Sequence, residues 1–240
     1  MGAKDQSQHV LAIGKAKESP LTSDSNKSPV IETDKDIARG AEFLVEREPR
    51  FARVIEAHGL PSPRRVENSL ASLLKIITEQ LISLKAADAI WQRIETSLHP
   101  FEPADILKFD LDNLRNLGLT RAKARTFHAI SAANQSGALN FESLDHVSDQ
   151  AVLDKLVALP GIGPWTADIY LLSALGRADA CPAGDLALQV AAQDLFAMKE
   201  RPTPKAFLTK AENWKPWRSV AARLLWSHYR GLKGLSQRVN

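Results

Sequence analysis

Residues 159–167, "LPGIGPWTA", constrain the fold most. Two glycines, two prolines and a tryptophan stand between two apolar stretches of helical period, "DKLVAL" and "PWTADIYLLSALG". Glycine permits left-handed backbone and close approach, and proline at the first helical position needs no N–H. The stretch therefore predicts a helix–hairpin–helix, with free turn N–H groups at the positive end of the second helix. That is an anion site, and a backbone phosphate bound there carries no sequence information. An ordinary tight turn between helices is the plainer reading of a bare Gly-x-Gly.

The rest of the chain repeats the helical pattern. Residues 1–32, rich in Ser, Lys, Asp and Pro, read as a flexible tail, and 33–240 as one domain. "DKDIARGAEFLVE" starts a helix with Asp34 or Asp36 as cap, and "PRFARVIEAHG" a second with Pro49 in its first turn and Gly59 at its end. Leu70, Leu73, Leu74, Ile77 and Leu81 form one helical stripe. Ser83, Thr120 and Ser148 cap further helices, and short ones lie between Pro103 and Gly118. Strand alternation is lacking, so the expectation is an all-α fold of about ten helices.

Composition sets limits. No apolar run approaches the roughly 20 residues of a membrane span, and the charged N-terminus does not read as a signal peptide. One cysteine, Cys181, excludes an internal disulfide framework and any site of several thiolates. Net charge is +3, yet residues 199–240 hold ten Lys/Arg against two acids. This suggests a local anionic partner, with a solvated basic helix face as the alternative.

"CPAGDLALQVAAQ" places Asp185 just before an apolar helical run, 20 residues after Trp165. Asp is a preferred cap, and a helix start favours a negative charge, so a structural and a chemical role are compatible. Asp168 reads as a first-turn acid and Asp179 as a loop acid.

The hairpin followed by Asp185 resembles the helix–hairpin–helix DNA glycosylases, and more closely the 3-methyladenine DNA glycosylase II family in a compact all-helical form, which implies two helical subdomains with the active site between them. "ITEQLISLKAADAIWQRI" (77–94) and "WKPWRSVAARLLW" (214–226) support the resemblance, which runs from Ser69 to Leu232. It implies that Asp185 is catalytic, a fixed anion beside C1′ of an oxocarbenium-like sugar. It implies a base pocket formed by Trp165 and Trp226, whose indole faces attract a cationic alkylated base. Trp214 and Trp217 could belong to pocket or core. Pro160, Gly161, Ile162, Gly163 and Thr166 form the DNA-binding hairpin. Leu81 takes the wedge position, entering the gap left by the flipped nucleotide, unless it is the last core residue of its stripe. Many relatives have Gln there, and Ile169 stands where longer members have a pocket tyrosine. The backbone carbonyls of Val157, Leu159 and Ile162 would hold a monovalent cation, Na or K.

Bifunctional relatives, such as those resembling endonuclease III, carry a Schiff-base lysine where this chain has Trp165, so hydrolysis without strand cutting is implied. No cofactor is required, and an iron–sulfur cluster needs four cysteines. The implied partner is double-stranded DNA with alkylated bases. The implied state is a monomer without membrane attachment, cytoplasmic in a bacterium or nuclear in a eukaryote. Competing readings are a helix–hairpin–helix binding module without chemistry, and a glycosylase for a neutral base such as hypoxanthine.

Overall fold

Short polar side chains set the helix starts. In the computed structural model, which describes residues 27–234, Thr33 caps α1 (Asp34–Arg47). Its hydroxyl accepts from Asp36 N, and the Asp36 carboxylate accepts from Thr33 N at 2.9 Å. Asp36 is thus the third helical residue of a capping box, and neither it nor Asp34 is the cap. Pro49 precedes α2 (Arg50–His58) as its cap residue, and Gly59 ends the helix with φ 72°. Ser69, Ser83, Thr120 and Ser148 cap α3 (Leu70–Glu79), α4 (Leu84–Leu98), α7 (Arg121–Gln135) and α9 (Asp149–Val157). Between these lie α5 (Pro103–Lys108), α6 (Leu111–Asn116) and α8 (Phe141–Leu144). The chain continues with α10 (Pro164–Ser173), α11 (Leu186–Leu195), α12 (Pro204–Ala211) and α13 (Arg218–Leu232). Thirteen α-helices and no strand occur among the described residues, so the all-α expectation holds with three more helices than counted from sequence.

Packing sorts the helices into two groups. α1 and α2 pack with α13, which also packs against α11, while α3, α5 and α6 gather around α7 and α4 packs on α3; α10 packs on α9 and α3, and Arg223 Nη2 of α13 donates to Leu172 O of α10 at 3.2 Å, so α10 links the groups. Edge-on contacts from Phe51 and Phe207, with ring centroids 5.5 and 5.7 Å away, enclose Trp214. Trp214 and Trp217, 2% and 7% exposed, are core residues, which removes both from the base pocket.

Of the expected tail, residues 1–26 lie outside the described residues. Residues 27–32 are bound to the fold: Ile31 is buried, its N–H donates to Gly176 O at 2.7 Å, and Ala178 N donates to Pro29 O at 2.8 Å. The apolar Ile31 side chain and these two backbone bonds tie the strand-like segment down ahead of α1.

Part of the basic C-terminal stretch is engaged within the fold, while Lys199, Arg201, Lys205 and Lys233 are exposed. Arg218 grips Asp179 through two bonds of 2.8 Å, Lys210 pairs with Glu48, and Lys215 with Glu212.

Candidate active site

The hairpin between α9 and α10 closes through Leu159 N donating to Leu156 O and Ile162 N to Leu159 O. Ile162 is buried and anchors the turn, while Pro160 and Gly161 are exposed. Gly161 has φ +85°, and a Cβ there would collide with the Thr126 hydroxyl of α7, so this position requires glycine. Gly163 differs from expectation: its φ of −98° is extended backbone, suited to its role as cap of α10. Nothing lies within 4 Å of where its Cβ would be, so the glycine leaves the surface open to an approaching group. Pro164 occupies the first turn of α10, as expected. Thr166 faces inward: it is 2% exposed, and its Oγ1 accepts from Gln80 Nε2 at 2.7 Å. Its hydroxyl ties the hairpin to the end of α3 and is not presented at the hairpin surface.

Asp185 is both the cap of α11 and the centre of a polar cluster. Its Oδ1 accepts from Leu188 N at 3.0 Å and from Trp226 Nε1 at 3.2 Å, and its Oδ2 accepts from Trp165 Nε1 at 3.1 Å. The loop before it is held by Asp185 N donating to Pro182 O and Gln189 Nε2 to Ala183 O. An ionised carboxylate offers about four acceptor positions. Three N–H donors fix its rotation and leave one direction for a water or a sugar. The two indoles thus have a role that the sequence did not suggest: their N–H groups orient the acid. Their partners stand 20 and 41 residues away in the chain, and only the fold reveals the pairing.

A cleft of about 390 Å³ opens in front of this carboxylate, lined by Gln80, Leu81, Trp165, Thr166, Asp185 and Leu186. It lies where the two helical groups meet. Leu81 stands on its rim, fully exposed and with φ +58°, between the end of α3 and the Ser83 cap. Leu70, Leu73, Leu74 and Ile77 of the same stripe are buried, so the core ends before Leu81. Lys123 of α7 holds the turn that precedes Leu81, donating to Thr78 O at 2.8 Å and Gln80 O at 2.7 Å. Neither Gln80 nor Lys123 carries a local sequence signal of this role.

The rival acids lie elsewhere. Asp179 is neutralised by Arg218. Asp168 sits in the second turn of α10, not the first, and lines a different cavity with Asp179 and Cys181. Burial pushes its carboxyl up to about 7, against the opposing hydrogen bond from Cys181 N at 3.2 Å and the Arg218 charge. Burial likewise pushes the Cys181 thiol up to about 12, which makes it a poor nucleophile.

Val157 is the last residue of α9, and Leu159 and Ile162 lie in the turn between it and α10. The Leu159 oxygen accepts from Ile162 N and keeps a second lone pair. Neutral backbone oxygens freed by a helix end suit a hard, weakly charged cation. Among the described residues no cluster of three or more His, Cys, Asp or Glu side chains could hold a metal ion, and no helix is long and apolar enough to cross a membrane.

Residues 74–218 match the HhH-GPD superfamily of base excision DNA repair proteins, over more than half of the chain. The chain belongs to this superfamily. It is 29% identical over 165 residues to the Bacillus subtilis protein YfjP, named after DNA-3-methyladenine glycosylase, covering 64% of this chain and 56% of YfjP. It is 31% identical over 209 residues to a Mycobacterium tuberculosis protein carrying the name AlkA, covering 80% of this chain and 40% of that one. The chain therefore spans about half the length of these two relatives. The 3-methyladenine DNA glycosylase Mag1 of Schizosaccharomyces pombe, solved with abasic DNA, superimposes with a TM-score of 0.74 at 26% identity. That match covers 81% of this chain and 97% of Mag1.

Proposed function

We propose that the protein is a monofunctional DNA glycosylase that hydrolyses the N-glycosidic bond of alkylated purines in duplex DNA. The carrying observation is Asp185, fixed by two indole N–H donors and a backbone N–H at the end of a cleft whose rim bears an exposed leucine. A flipped nucleotide seated in that cleft puts C1′ beside the carboxylate, where a preoriented anion stabilises the oxocarbenium-like sugar as the base leaves. The remaining acceptor direction of Asp185 orients the attacking water or takes its proton. An alkylated base already carries positive charge and departs without a general acid. The Leu81 side chain fills the gap in the duplex. The hairpin N–H groups take a backbone phosphate, and the carbonyls of Val157, Leu159 and Ile162 would hold a monovalent cation that screens it. Trp165 offers no amine to the sugar, so the product is an intact strand with an abasic site. The protein acts as a monomer wherever DNA lies, the cytoplasm of a bacterium or the nucleus of a eukaryote, and needs no redox cofactor.

Base release from methylated duplex DNA, separated by chromatography, tests this reading. Wild type releases methylated purines, and Asp185→Asn loses roughly 10²-fold or more in rate while keeping DNA binding. Borohydride traps no protein–DNA adduct. An Asn variant that excises at the wild-type rate, or efficient trapping, refutes the assignment.

A further inference from the structure

Two exposed leucines bound the cleft in front of Asp185. Leu81 comes from the turn between α3 and α4, and Leu186 is the first residue of α11. The covered face of α11 is made by Leu188, Gln189, Ala191 and Ala192. Leu186 stands outside that face and is 55% exposed. It adds nothing to the start of the helix, because Asp185 already caps it through Leu188 N. Single exposed leucines are common on protein surfaces. This one is distinguished by its place, adjoining the acid and lining the same cleft as Leu81 and Trp165.

Few polar side chains of the cleft are free. The Gln80 amide donates to Thr166 Oγ1 at 2.7 Å, and Thr166 is itself buried. Asp185 keeps one acceptor direction beyond its three N–H donors. A sugar seated against Asp185 therefore meets one carboxylate and the hydrocarbon of Trp165 and Leu186.

The chemistry gives such a wall a task. When the C1′–N bond of an alkylated purine breaks, its electron pair leaves with the base and cancels the positive charge there. The sugar is left electron-poor at C1′, and any nucleophile that reaches this carbon captures it. An open cleft admits small hydroxyl compounds in proportion to their concentration. A covered one admits only the molecule held beside Asp185, and the lower local dielectric strengthens the attraction between carboxylate and sugar.

Resting on the glycosylase reading, we propose that Leu186 closes over the deoxyribose of the flipped nucleotide and restricts the nucleophile to the water held by Asp185. Leu186 is then a specificity-determining residue for the second reactant. The test uses the full chain, a duplex carrying a single 7-methylguanine, and methanol at a concentration in which thermal melting shows the protein folded. In methanolysis the methanol oxygen bonds to C1′, its proton passes to Asp185, and the base leaves with the C1′–N pair. The product is a methyl glycoside. It has no free aldehyde, resists the alkali that cleaves an abasic site, and is heavier than the abasic strand by one CH₂. Release without protein is subtracted.

With wild type, every base released is matched by an alkali-labile abasic site. Leu186→Ala melts with wild type, since the side chain is exposed in the free protein, and yields alkali-resistant strands in proportion to methanol. Its single-turnover release rate falls roughly tenfold, the worth of an apolar contact re-exposed to water. The fall is equal on paired and mismatched duplexes, because covering the sugar follows unpairing. Leu186→Met, of similar volume, restores both rate and product. Methyl glycoside from the wild type overturns the proposal whatever the variants do. So does a wholly alkali-labile product from Leu186→Ala, or a loss that shrinks on the mismatch. Failure of the wild type to release the base removes the glycosylase reading, and this inference with it.

Discussion

At the scale of single residues, three aspartates within 18 positions of one another meet three different environments. Asp185 is exposed toward a cleft and held by N–H donors, Asp179 is spent on Arg218, and Asp168 is withdrawn from water beside Cys181. The last has a consequence for stability. Because its folded-state carboxyl is raised from 3.8 to about 7, the folded protein holds a proton that the unfolded chain releases. Stability from this group is complete below about pH 4, falls as pH rises, and is fully lost above about pH 7. Asp168→Asn removes that loss, and its side-chain oxygen still accepts from Cys181 N. The variant should melt at the same temperature as wild type near pH 4 and progressively higher from there to pH 8, with base excision unaltered. Melting curves across that range check it, and a pH-independent difference contradicts it.

At the scale of elements, the end of α3 and the start of α10 form one device. Gln80 donates to Thr166, and Lys123 ties down the carbonyls of Thr78 and Gln80, so the left-handed residue that follows projects Leu81 into solvent. Leaving so large an apolar side chain fully exposed forgoes burial worth roughly 1.5–3 kcal/mol, which a wedge recovers only in DNA. Leu81→Ala should therefore leave the melting temperature within about a degree of wild type, since surface substitutions fall within ~0.5 kcal/mol. Excision from a fully paired duplex should drop, and drop less when the damaged base faces a mismatch, where less unpairing energy is required. A loss of equal size on both substrates would take the wedge role from Leu81.

At the scale of the whole molecule, the cleft depends on how α1 and α2 seat α13, the helix that carries Trp226. α1 meets α13 at Gly40, where a Cβ would stand 2.7 Å from both the Trp217 ring and the Val220 side chain. Two effects oppose each other in Gly40→Ala. Alanine gains up to about 1 kcal/mol in helix propensity, while overpacking against a buried ring and a β-branched neighbour costs about 1–3 kcal/mol. Because Trp217 and Val220 are themselves enclosed, the second should win, and chemical denaturation should show a lower midpoint. A higher midpoint would mean that α1 can shift freely on α13.

What the sequence determined by itself is what neighbours within about four residues decide. Ser69, Ser83, Thr120, Ser148 and Asp185 cap the helices they precede, because a short side chain reaches the N–H three residues on. The hairpin was legible for the same reason, although the collision that fixes Gly161 comes from Thr126 of another helix. Even α1 shows the limit of local reading, since three oxygen-bearing side chains stand close together and only the reciprocal bond selects Thr33 over Asp34 and Asp36. Tertiary structure decided everything that depends on partners distant in the chain. It turned two indole N–H groups onto one carboxylate, buried Trp214 and Trp217 while leaving Trp165 and Trp226 at the site, and ended the core before Leu81. It also gathered Arg64, Arg223 and Arg230 around one pocket. An apolar period specifies which face of a helix is covered, but not by which neighbour; that choice falls to the packing of the two helical groups against each other, and the cleft is where they meet.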